Sequence, residues 1–275
     1  MKKGVFILSC VALLMCSCGS EFDSVLKYGD TDTRYEYAKE FFAQGKFQKA
    51  ITLLEEVVTM KKGSDDAQEC LYMLAMAQYC NMDFEAASET FRKYGSSYPR
   101  GIYAESAAFY VGQSLYQSAP EPRLDQSPTH GAINAYQQFM DLYPDSPLRP
   151  QAQERLYELH DKLVQKEYLS AELYYNLGGY FGNINSNEES NYNAAIITAQ
   201  NCLKNYPYCT LREDFMLLIM KSKFQLAENS SEEKRIERYR DAEDECYGFI
   251  NEFPDSKNVE TAERYIAKCK KVIKD

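Results

Sequence analysis

Tryptophan is absent from this sequence, and its 275 residues hold only two histidines, nine prolines and thirteen glycines. So little histidine all but excludes a metalloenzyme built on imidazole ligands. Scarce glycine and proline, set among long runs of Ala, Leu, Tyr, Glu and Lys, point to helices. Basic residues are also in deficit, 31 Lys and Arg against 41 Asp and Glu, for a formal charge of −10. Nucleic acid and anionic membrane faces are therefore poor partners, because binding to either depends on cationic side chains. The short motifs of catalysis are missing too: no CxxC, HExxH, GxxxxGK[ST] or GxSxG occurs. Neither a metal nor a cofactor is expected, and the chain reads as a non-enzyme.

Long apolar runs are lacking as well. The longest, Val5 to Met15, has eleven residues, whereas a bilayer-spanning helix needs about 20. With Lys2 and Lys3 ahead of it, the run reads as a signal peptide. Its end, Leu14-Met15-Cys16-Ser17-Cys18-Gly19, is similar to a bacterial lipobox in which small Ser17 precedes the modifiable Cys18. Cys16 is the weaker candidate because Met15 precedes it, and ordinary secretion is the alternative. Acylation of Cys18 would hold the mature chain to a membrane through its lipid chains. The expected boundaries are a signal peptide over 1–17, a lipidated cysteine and polar tether over 18–31, and two repeat halves over 32–147 and 148–275.

A period of 37 residues runs through the first of these halves. Tyr35 maps to Tyr72, Ala38 to Ala75, Phe47 to Phe84, Ala50 to Ala87 and Leu54 to Phe91. A second shift reaches Phe109, Gly112 and Tyr116. The matching Ala132, Tyr136 and Phe139 then lie eight residues late, after an irregular loop over Ser118–Thr129 that contains Pro120, Pro122 and Pro128. Small residues recur where helices cross closely. Four units close on an aromatic–proline pair: Tyr98-Pro99, Tyr143-Pro144, Tyr206-Pro207 and Phe253-Pro254. Counting back from the last two gives Ala195 and Cys202, then Ala242 and Phe249, with first helices over Ala171–Phe181 and Arg212–Ala227. This is the pattern of tetratricopeptide (TPR) helix pairs. An all-α, TPR-type superhelix of about five helix pairs is expected. One long helix, or two nearly collinear ones, should occupy Pro150–Gly178, and an amphipathic cap Asn258–Lys274.

Each of the first three units carries an aromatic pair seven residues apart on its first helix: Tyr35/Phe42, Tyr72/Tyr79 and Phe109/Tyr116. Two helical turns put each pair on one face, opposite the small and apolar residues assigned to packing. With Lys39, Met76 and Gln113 between them, these rings either line a concave groove for an extended peptide or pack against neighbouring repeats. The other polar candidates are weaker. His130 and His160 lack a second ligand at metal spacing. Glu232-Glu233 and the acidic run Asp241–Glu245 read as solvated helix faces. Cys70, Cys80, Cys202, Cys209, Cys246 and Cys269 mostly fall at packing positions and are expected as free thiols. A bridge involving Cys209, in a turn, stays open.

Three stretches carry a family resemblance: Ala38–Ala50 (AKEFFAQGKFQKA), Ala132–Pro147 (AINAYQQFMDLYPDSP) and Leu156–Gly182. Together with the lipobox and the five repeats, they resemble the BamD family, outer-membrane lipoproteins of the β-barrel assembly machinery. The insert Asn183–Tyr192 and the Cys-rich last units depart from the family pattern. The resemblance implies a scaffold on the periplasmic face of the outer membrane of a Gram-negative bacterium. It also implies that C-terminal repeats bind a BamA-like barrel protein and that N-terminal repeats receive unfolded outer-membrane proteins. The competing reading is a TPR lipoprotein serving peptidoglycan or cell-division enzymes. A SusD-like glycan binder fits poorly at this length without Trp, and a lytic transglycosylase has no room for its catalytic domain.

Overall fold

The computed structural model describes residues 21–178 and 190–274. The lipobox with Cys18, Phe181 and most of the insert at 183–192 lie outside the described residues. Every regular element among the described residues is an α-helix. They are α1 (21–28), α2 (Thr31–Ala43), α3 (Phe47–Met60), α4 (Ala67–Cys80), α5 (Phe84–Ser97), α6 (Ala104–Ser118) and α7 (Ser127–Leu142). After these come α8 (Arg149–Asn176), α9 (Asn191–Asn205), α10 (Arg212–Glu228), α11 (Glu232–Glu252) and α12 (Val259–Lys274). Helices α2/α3, α4/α5 and α6/α7 are the three pairs of the 37-residue repeat. Two compact units are resolved, one holding the residues up to Pro120 with Gln126–Leu156, the other Glu121–Asp125 with the chain from Tyr157 onward.

Two clusters close the helices of the first unit, up to α6, on one another. Ala38, Phe41, Ala50, Leu53, Leu54 and Val57 close α2 on α3, with Cys70 and Leu74 of α4 against them. Leu71, Ala75, Phe91, Tyr94, Ala107 and Val111 join α4, α5 and α6. Gly112 marks a close helix crossing: a Cβ there would stand 2.7 Å from Cδ1 of Tyr136 on α7. In the second unit, Val164 and Ala171 of α8 meet Ile196, Ala199 and Cys202 of α9 and Phe215 of α10. Met220, Cys246, Phe249 and Ile266 then tie α10, α11 and α12 together.

The aromatic–proline pairs produce one cap four times. Tyr98, Tyr143, Tyr206 and Phe253 hold φ between −133° and −126° with ψ between 62° and 67°. A residue before proline is pushed out of the helical region, so each helix stops there. Each cap N–H still donates to the carbonyl four residues back, at 2.8–2.9 Å. Three of the rings pack on the aromatic one turn earlier, with Tyr94–Tyr98, Phe139–Tyr143 and Phe249–Phe253 centroids 5.4–5.7 Å apart. The two Asp-Ser turns that follow share a latch. Ser146 donates to Glu105 at 2.5 Å and Ser256 to Glu213 at 2.6 Å, and each serine oxygen accepts the backbone N–H two residues on.

Two expectations need correction. Residues 21–28, expected within a polar tether, are helical. Phe22, Val25 and Leu26 recur at helical spacing and pack on the first core, Phe22 edge-on to Phe41 at 5.8 Å. The loop expected over Ser118–Thr129 is shorter, because α6 ends at Ser118 and α7 begins at Ser127. Pro128 sits in the first turn of α7, where its missing N–H costs no hydrogen bond. The long helix is one continuous element of 28 residues.

Candidate functional site

The nine aromatic-stripe residues sit on α2, α4 and α6. Tyr35, Phe109 and Gln113 are buried, at 4%, 4% and 7% exposure, so the stripe is not an open face along its length. Tyr35 belongs to the first core, with Lys39 Nζ 4.6 Å and Lys61 Nζ 5.1 Å from its ring centroid. Its hydroxyl is shut away from water and has no partner of hydrogen-bonding geometry, although Cys70 and Glu69 lie beside it. Burial first, then these neighbours, hold its pKa well above the phenol range. Phe109 is wedged edge-on against Tyr136 and Phe139 of α7, at 5.8 and 5.5 Å. Gln113 Oε1 accepts a 2.7 Å bond from Tyr136. For these three, packing within the repeats takes the side chain.

The remaining six are half-buried. Tyr72 stacks on Tyr103 at 4.3 Å with an 8° interplanar angle and is edge-on to Phe91 and Tyr94. Its hydroxyl is 2.7 Å from Ser106 Oγ, and burial raises its pKa. Tyr79 is edge-on to Phe84 and Tyr110, and Met76 packs on the same cluster. Phe42 meets Phe47 at 5.5 Å, and Lys39 pairs with Glu36 at 2.6 Å. Tyr116 lies under the Arg155 guanidinium, 4.8 Å from its ring, and accepts a 3.2 Å bond from Arg155. The accessible edge of the stripe is thus a row of braced aromatic surfaces with cations at both ends. Rings held in this way present apolar faces with a polar hydroxyl at the edge of Tyr72, Tyr79 and Tyr116.

A feature that sequence reasoning missed lies between α5 and α7. A groove of about 600 Å³, floored by α6, is lined by Phe91, Val111, Ala135, Phe139 and Leu142 among others. Its width comes from small residues: Gly95 on α5, Ala104 and Ala108 on α6, and Gly131 on α7. Those glycines on second helices were the available signal, since a mid-helix glycine costs stability unless something needs the space.

Among the described residues, no group of three or more His, Cys, Asp or Glu could hold a metal ion. His160 lies on α8 with its ring 5.8 Å from Tyr206, and burial lowers its pKa against the opposing pull of Asp161. The six cysteines of the described residues are free thiols, with Cys70, Cys202, Cys246 and Cys269 buried.

Successive helix pairs of one repeated pattern define a TPR-type helical-repeat scaffold. The profile of the outer membrane lipoprotein family, YfiO, matches residues 29–235, and the chain belongs to that family. A relative from Aquifex aeolicus (strain VF5), assigned as an outer membrane protein assembly factor BamD, is 25% identical over 159 residues. That alignment covers 53% of this chain and 50% of the relative, so the chain spans about half the length of the curated relative it matches. Two solved TPR structures are each 12% identical and cover 87% of this chain. One holds nearly identical TPR-like repeats from a Podosopora anserina protein of the kinesin-light-chain type (96% of that chain, TM-score 0.38). The other is the TPR2AB domain of yeast Sti1 with pHSP90 (98% of that chain, TM-score 0.37). The fold rests on the chain's own helix pairs, not on these likenesses. No helix among the described residues is long and apolar enough to cross a membrane.

Proposed function

We propose that this protein is a lipid-anchored scaffold for assembling β-barrel proteins into the outer membrane. The observation that carries the reading is the family match, which runs from α2 through α10 to the first residues of α11. Cys18 is the acylation site and the repeats face the periplasm. The C-terminal pairs hold a BamA-like barrel subunit. The N-terminal pairs receive extended segments of unfolded barrel proteins along the accessible stripe of Lys39, Phe42, Tyr72, Met76, Tyr79 and Tyr116. Such a scaffold works by binding and orienting its clients, with no bond made or broken.

Affinity purification of the full-length chain from detergent-solubilised outer membrane tests this reading. Co-purification of a BamA-like barrel subunit in stoichiometric amount is the expected result, together with fewer folded barrel proteins when the chain is depleted. Recovery of peptidoglycan-synthesis or cell-division proteins in its place would move the chain to the competing scaffold class.

A further inference from the structure

We propose that the groove between α5 and α7 is a second docking surface, for an extended partner segment carrying bulky apolar side chains beside a carboxylate. It lies apart from the aromatic stripe and does not depend on the barrel-assembly reading. The apolar surface it offers comes from Ala108, Val111, Ala135 and Leu142, the last 60% exposed, above the buried rings of Phe91 and Phe139. Its volume of about 600 Å³ is within the range of sites that bury a ligand's side chains.

The rims choose the occupant. Arg92 is the one charged residue among those lining the groove, and its guanidinium offers a fork of donors to a carboxylate. Asn134 and Gln138, one turn apart on α7, face it across the groove. Among the described residues, none of these three side chains has a hydrogen bond or ion pair. A carboxamide both donates and accepts. It therefore suits an extended main chain with free N–H and C=O groups better than a helix, whose backbone is internally paired. On α7 the lining runs from Gly131 to Leu142, about 17 Å of helix, so about five extended residues fill the groove at roughly 3.3 Å each.

The test is fluorescence anisotropy on the full chain. The probe is a dye-labelled peptide of alternating Phe and Thr, about eight residues long, with one central Asp. A twin carries Asn in its place. The Asp probe should bind about two- to fivefold more tightly than its twin, the scale of an exposed ion pair, and Arg92→Gln should erase the difference. Gly95→Leu should weaken both probes roughly tenfold or more by filling the groove. It should leave the fold intact, because nothing lies within 4 Å of a Cβ at Gly95. Unchanged affinity in a folded Gly95→Leu chain would overturn the proposal. So would an Asp–Asn difference that survives Arg92→Gln, or tighter binding by a helix-stapled form of the same peptide.

Discussion

The same substitution at two glycines should change stability in opposite directions. Gly112 on α6 and Gly95 on α5 are both helical, and replacing either with Ala removes the glycine penalty, about 0.5–1 kcal/mol. Around Gly95 nothing lies within 4 Å of the new Cβ, so that gain should stand alone. At Gly112 the Cβ would meet Cδ1, Cγ and Cε1 of Tyr136 at 2.7–2.9 Å. That ring has no room to retreat: Tyr136 is fully buried, edge-on to Phe109, and tethered by its hydroxyl to Gln113. Overpacking of this kind costs about 1–3 kcal/mol. Gly112→Ala should therefore destabilise by roughly 1 kcal/mol, at most about 2.5 kcal/mol, and Gly95→Ala stabilise by about 0.5–1 kcal/mol. Urea denaturation followed by circular dichroism reads the difference as shifts of the midpoint at constant slope. Shifts of the same sign in the two variants would refute the reasoning, because helix propensity alone would then decide both.

Met82 holds φ at +65°, the position that Gly45 occupies at +71° one repeat earlier. A non-glycine residue in the left-handed region costs about 1–2 kcal/mol, so Met82→Gly should raise the urea midpoint and Gly45→Ala should lower it. His160 supplies a pH test. Its pKa is held below the usual 6.5, so the unfolded chain binds the proton more readily. Its contribution is then complete above about pH 6.5 and declines as the pH falls through that value. The melting temperature of the parent should drop more between pH 7.5 and 5.5 than that of His160→Gln, and equal drops would remove His160 from the account. Burial pushes Cys202 and Cys246 up to about 12 and Cys269 up to about 11. Because the thiolate is the reactive form, iodoacetamide at pH 8 should spare these three in the folded chain and alkylate them in urea, as read by peptide mass spectrometry.

Much of the fold was legible because its signals are local. The 37-residue period, the Ala and Gly crossings and the aromatic–proline stops each act within a turn or two of chain, so α2 to α7 fall where the repeat puts them. What stayed hidden depends on space. Nothing in the short run Phe22-Asp23-Ser24-Val25-Leu26 names Phe41 as the surface that makes it helical. The serine–glutamate latches join residues 41 and 43 positions apart, beyond any periodic window. Met82 hid because the left-handed cap it forms is one that sequence assigns to glycine.

The aromatic stripe shows the limit most clearly. Seven-residue spacing puts each pair on one helical face, but periodicity is silent on what that face meets. A first helix inside a repeat array is touched by its own partner helix and by the next pair. Phe109 is taken up by α7 of its own pair. Tyr72 meets both α5 of its own pair and Tyr103 at the entrance to α6, and Tyr79 likewise meets α5 and Tyr110 of α6. The aromatic face is therefore spent partly on closing its own pair and partly on joining that pair to the next. The surface left for a partner shifts to the ring edges of the stripe and to the gap between successive second helices, where Gly95 and Gly131 keep large side chains out. The proposed docking surface is thus drawn from absent side chains on second helices and not from large ones on first helices, and the Gly95→Leu variant puts it to the test.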